Sequence, residues 1–126
     1  MSDDAKKQYL EGMALYGQGK NVEAIEAYRR ALELEPDWPD ALQALGMAQL
    51  QDGQHAPALA TLKRVTELAP EDPLAFTSLS MAYQRNDRIE DAEKAQATAR
   101  MLSWKQELKT NPNAPPPDPG PMQVNQ

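Results

Sequence analysis

Apolar and polar positions alternate with a helical period along most of this chain, in blocks separated by Gly, Asn, Asp and Pro. The first block, residues 4–17, reads as a helix with Asp3 or Asp4 at its N-cap, next to the positive helix end. Gly17-Gln18-Gly19 stops it, because glycine accepts the left-handed conformation that helix C-termini favour. Asn21 is the expected cap of a second helix, 22–34, whose apolar residues Val22, Ile25, Tyr28, Ala31 and Leu32 fall at helical spacing. Two prolines in Glu35–Asp40 then fix the chain direction and forbid helix continuation.

The next block repeats the plan. A helix from about Pro39 to Gln51 is followed by the turn Asp52-Gly53, and Pro57 lies near the start of a helix that ends before Pro70. Asp72 is the expected N-cap of a fifth helix, with Pro73 at its first position. Asn86 and Asp87 replace the turn glycine, and both tolerate left-handed geometry. The sixth helix meets no proline, so its pattern runs on from about Ile89 to Lys109.

Superimposed on these helices is a repeat of fixed period. Ala24 returns as Ala58 and Ala92, a period of 34; Gly12, Gly46 and Ser80 coincide, as do Gly19, Gly53 and Asp87. Pro36 and Pro70 close the first two units, while Trp104 occupies the place of a third closing proline. These residues resemble the tetratricopeptide repeat, a helix–turn–helix unit, over roughly residues 3–108. Departures are Glu11 for a leucine, Gln96 for a large apolar residue, and Trp104 for the proline. The resemblance implies an all-α right-handed superhelix of three repeats, about 5–38, 39–72 and 73–109, with the last helix extended. The repeat domain is expected to span 3–109 and a Pro-rich tail 110–126.

Ile89, Ala92, Ala95, Ala99 and Leu102 form the stripe of the last helix that should pack on its predecessors. A second stripe, Ala97, Met101, Trp104 and Leu108, points elsewhere. It either shields the open end of the core, with Trp104 as the cover, or offers a seam to a partner. Beyond Asn111, six of the chain's eleven prolines occur with no periodic apolar residue, so the segment reads as polyproline-like. It is either a solvated tether or a docking strand for a groove.

Composition narrows the function. A net charge of −6 argues against nucleic acid, whose binders cluster Lys and Arg. Without cysteine there is no disulfide, thiolate chemistry or Cys-based metal site. His55 is the single histidine, placed in the turn before the fourth helix, and its nearest acid is Asp52, too few groups for a metal. Glu90, Asp91 and Glu93 sit at a helix start, where the macrodipole favours negative charge. Gly17-Gln18-Gly19 follows a helix, the wrong context for a phosphate loop. A non-enzyme without cofactor or metal is expected. The acidic N-terminus lacks an apolar export segment and no run is long enough for a membrane span, so the expected compartment is the cytoplasm.

What remains is binding of protein. The resemblance implies that the first helix of each repeat lines a concave face, where a peptide or helix of a partner lies. Its groove positions fall on Lys6, Tyr9, Met13 and Tyr16; on Gln43, Met47, Leu50 and Gln51; and on Leu74, Thr77, Met81, Gln84 and Arg85. Met13, Met47 and Met81 are equivalent residues. They either fill gaps between helices or form an adaptable apolar lining, a use to which methionine is suited. Relatives that clamp acidic chaperone tails carry basic and amide residues where this chain has Tyr9, Met13, Ala44, Leu74 and Ser78, so that ligand is not expected. Met101, Trp104 and Leu108 are the second candidate interface, and assembly into a homo-oligomer through the last helix and tail is the alternative function.

Overall fold

The computed structural model describes residues 1–118; the rest of the proline-rich tail, 119–126, lies outside the described residues. Six helices follow one another: α1 (Asp3–Gly17), α2 (Asn21–Leu34), α3 (Pro39–Gln51), α4 (His55–Leu68), α5 (Pro73–Arg85) and α6 (Ile89–Leu108). No strand occurs among the described residues. Each helix packs on its chain neighbour, and the additional contacts are α1 with α3 and α3 with α5. The odd-numbered helices therefore form one layer of a superhelical stack and the even-numbered helices the other.

Three turns make this stacking regular. Gly19 and Gly53 take φ of 77° and 82°, and Asp87 reaches 59° in the same place of the third repeat. In each turn the residue after the left-handed one returns a backbone N–H to the preceding helix: Lys20 to Leu15, Gln54 to Gln49, Arg88 to Tyr83. This backbone bond sets the start of the second helix, and no side chain caps α2, α4 or α6. Asn21, expected as the cap of α2, is instead its first residue, with Lys20 in the cap position. His55 is likewise the first residue of α4 rather than a turn residue. At the other end of the chain Ser2, not Asp3 or Asp4, caps α1, because its hydroxyl oxygen accepts the N–H of Ala5. Asp72 caps α5 as the sequence suggests, accepting the N–H of Leu74 at 3.0 Å.

Between the layers, small residues let large ones in. A Cβ on Gly12 would stand 2.5 Å from the Tyr28 ring, and one on Gly46 would stand 2.5 Å from the side chain of Leu62. Tyr28 and Leu62 are equivalent residues and are the largest fully buried side chains. Burying one such side chain contributes about 1.5–3 kcal/mol. The third repeat keeps the register with different chemistry: Ser80 replaces the glycine, Gln96 replaces the large apolar residue, and the Ser80 hydroxyl donates to the carbonyl of Ala92 at 2.8 Å.

Past Leu108 the chain reverses. The N–H of Asn111 reaches the Glu107 carbonyl at 2.8 Å, and that of Ala114 reaches the Asn111 carbonyl at 3.0 Å. The turn brings Ala114 against α6, where it is 6% exposed, and its carbonyl accepts the indole N–H of Trp104 at 3.0 Å.

Candidate functional site

The odd helices present the expected groove residues in three equivalent sets, and these divide by where they point. Met13 is 47% exposed, while Met47 and Met81 are half-buried and rest on the core formed by α3 to α6. Lys6, Gln51, Leu74, Gln84 and Arg85 are exposed around them. The methionine row is thus partly gap-filler and partly surface, with its free area greatest on α1.

The remaining positions make joints between repeats. Tyr9 packs on Trp38 with ring centroids 4.7 Å apart and on Tyr28 at 5.9 Å. Burial and then the charge of Asp40 raise its pKa. Gln43, its equivalent in α3, donates from Nε2 to the Ser78 hydroxyl of α5. The Oε1 atom of Gln43 is buried without a partner. Tyr16 is half-buried beside Tyr28 and Leu45. Burial, and then Tyr9 and Tyr16, push the Tyr28 phenol up to about 12.

Leu50 corrects an expectation. It is 3% exposed and belongs to the core with Ala58, Leu62 and Ala82, so it cannot touch a partner in the groove. Its position faces the following repeat rather than the opening. Equivalent Tyr16 is half-covered in the same direction, whereas Gln84, with no further repeat after it among the described residues, is exposed. Only the end of the array reveals the direction of this position, which is why periodicity alone misplaces Leu50.

On α6, Met101 is exposed, whereas Trp104 and Leu108 are half-buried. Trp104 is therefore shared between its helix and the returning tail. Arg100 and Ala114 are participants that sequence reasoning passes over, and Ser78 entered it only as a position without a basic or amide residue; Ala114 carried a signal only as a non-proline residue inside the proline cluster. His55 lends its backbone carbonyl to the Asn86 amide at 2.8 Å, a turn-to-turn tie. Among the described residues no three His, Cys, Asp or Glu side chains cluster in a manner able to hold a metal. None of the described helices is long and apolar enough to cross a membrane.

The sequence model of the tetratricopeptide repeat matches residues 15–82, more than half of the chain. The chain belongs to the tetratricopeptide-repeat family. This repeat is a protein-interaction scaffold rather than a class of enzyme. No curated protein matches this repeat protein in sequence. Its fold is similar to that of the type III secretion translocator chaperone SycD of Yersinia enterocolitica, solved as an alternative dimer. There the TM-score is 0.77 at 19% identity, covering 87% of this chain and 84% of SycD. It is also similar to MamA (residues 41 to the end) from Desulfovibrio magneticus RS-1, with a TM-score of 0.75 and 29% identity. The match covers 84% of this chain but only 59% of that one, so MamA extends well beyond the shared region. A third likeness, TM-score 0.72 at 21% identity, is to the first repeat domain of Spaghetti (RPAP3), solved with the HSP90 peptide SRMEEVD. It covers 90% of this chain and 84% of that one.

Proposed function

We propose that this protein is an interaction adaptor, or a small accessory subunit of a larger assembly, that takes a peptide or helix of a partner along its odd-helix face. The observation that carries the reading is the row Met13, Met47 and Met81, one methionine per repeat on that face, with the most exposed of the three on α1. Thioether side chains adapt their shape to irregular apolar ligands. Lys6, Gln84 and Arg85 add polar and cationic rims. Leu50 drops out of the lining, and Tyr9, Tyr16 and Gln43 contribute mainly as the joints that hold the row in line; Thr77, the third equivalent of Tyr9 and Gln43, lies off the row beside Trp104. The ligand is of mixed apolar character. Tyr9, Met13, Ala44, Leu74 and Ser78 supply no cation for an acidic tail such as the peptide held by RPAP3.

Capture of partners from the native host's extract on wild type and on Met47→Glu tests this. A carboxylate on the half-buried centre of the row replaces apolar contact with a charge that resists burial and should abolish capture, while circular dichroism verifies that the helices persist. A partner captured equally by both proteins would place recognition elsewhere. The alternative, self-assembly through α6 and the tail, has Met101 as its exposed apolar contact. Light scattering at two protein concentrations separates it, since a stable multimer without any partner would favour self-assembly.

A further inference from the structure

We propose that the face formed by α6 and the adjoining side of α5 is a receptor for extended proline-rich strands, and that residues 114–117 of this chain are its resident, exchangeable occupant. Repeat equivalence points to a site. Tyr9 meets Trp38, and Gln43 meets Ser78, so this position on each odd helix contacts whatever comes next in the stack. The third equivalent is Thr77, and no seventh helix follows it among the described residues. Thr77 instead shares a cavity of about 280 Å³ with Trp104, Arg100, Pro115 and Pro117. A proline-rich strand stands where a further repeat would stand.

The mode of contact is that of polyproline recognition. Ala114 is buried, Pro115 and Pro116 are exposed, and Pro117 is half-buried again, a spacing of three that suits the three residues per turn of a polyproline II strand. The indole N–H of Trp104 meets a backbone carbonyl, not a side chain. An aromatic ring that donates to the carbonyls of a preformed strand recognises its backbone shape. Recognition here thus selects for strand geometry and demands little of the neighbouring side chains.

The resident fits incompletely. Among the described residues, Nε of Arg100 is buried and finds no acceptor, although Arg100 lines the cavity next to the tail. Within residues 114–117, the Trp104 hydrogen bond and the burial of Ala114 are a light anchor. The tight turn at 109–113 compensates, because a tethered strand acts at millimolar effective concentration. A strand of the same type in trans competes once the tether's hold is weakened. This site stands apart from the methionine row, so failure of either reading leaves the other untouched.

The test reads the Trp104 indole proton by NMR in the full chain, with Trp104→Phe assigning it against Trp38. In wild type that proton should be protected from solvent exchange. Ala114→Asp should release the tail and lower the protection at least about tenfold, with helicity retained. If Ala114→Asp loses helicity, Pro115→Ala, Pro116→Ala and Pro117→Ala combined serve instead. Adding a peptide of residues 111–118 to the released chain should restore the wild-type shift, at concentrations up to about millimolar. The same peptide with alanine for its prolines should not. An unprotected indole in wild type, protection that survives in the released variant, or equal response to both peptides would each overturn the proposal.

Discussion

At the scale of single residues, the fold rests on exchanges of volume between equivalent positions. Gly46 gives Leu62 its room, whereas a Cβ on Gly17 would meet nothing within 4 Å. The two glycines should therefore respond to alanine with opposite sign. Gly46→Ala forces a methyl to within 2.5 Å of a fully buried leucine, and overpacking of that kind costs about 1–3 kcal/mol. Gly17→Ala at the open end of α1 should stabilise by about 0.5–1 kcal/mol, from reduced freedom of the unfolded chain. Urea midpoints that move in the same direction for both would contradict this packing account. Tyr28 adds a pH dependence. The residue is 2% exposed, and burial pushes its phenol up to about 12 in the fold, against about 10 when unfolded. The fold favours the protonated form, so its contribution is complete below pH 10 and declines as pH rises toward 12, by as much as about 3 kcal/mol. Denaturant titrations across that window should show the decline, and Tyr28→Phe should lessen it. The repeat register made these residues legible in the sequence. Helix caps were less so, because Ser and Asp are both capping residue types, and the sequence pointed to Asp3 or Asp4 where the chain geometry selects Ser2.

At the scale of elements, α6 is the informative departure. It has 20 residues against 14 in α2. Pro36 and Pro70 stand two places past the ends of α2 and α4, and Trp104 holds the corresponding place inside α6. Reinstating the missing signal should shorten the helix. Trp104→Pro removes an intrahelical N–H and clashes with the turn before it, at a cost of about 3 kcal/mol or more if α6 stays intact. The helix should instead end near residue 103, with a matching loss of far-ultraviolet dichroism. Dichroism and urea midpoint both unchanged would contradict the view that proline punctuation sets the length of these helices. The extension was readable because a breaker was missing. The return of the tail onto Trp104 was not. It depends on the turn at 109–113 and on the burial of Ala114, neither of which produces a periodic pattern.

At the scale of the whole molecule, contacts run between neighbours, so stability should vary along the array instead of being shared evenly. The family and the stacking order were legible because they follow from period alone. What the partner is was not, since a shared scaffold carries many ligands. The direction in which the array loosens can still be derived. α1 buries only Ala5 and Gly12, whereas α3 buries Ala41, Leu45, Gly46, Ala48, Gln49 and Leu50. At the other end, α6 is held by Ala92, Ala95 and Ala99 and is covered by the tail at Trp104. Amide hydrogen exchange should therefore be fastest in α1, slowest in α3 and α4, and intermediate in α6. Helices with few buried contacts open below the global free energy of unfolding. Because Met13, the most exposed of the row, lies on that looser helix, ligand binding should slow exchange in α1 more than in α3. Equal protection across all six helices would mean that the stack opens as one unit. The end proposed to face a partner would then be no softer than the rest.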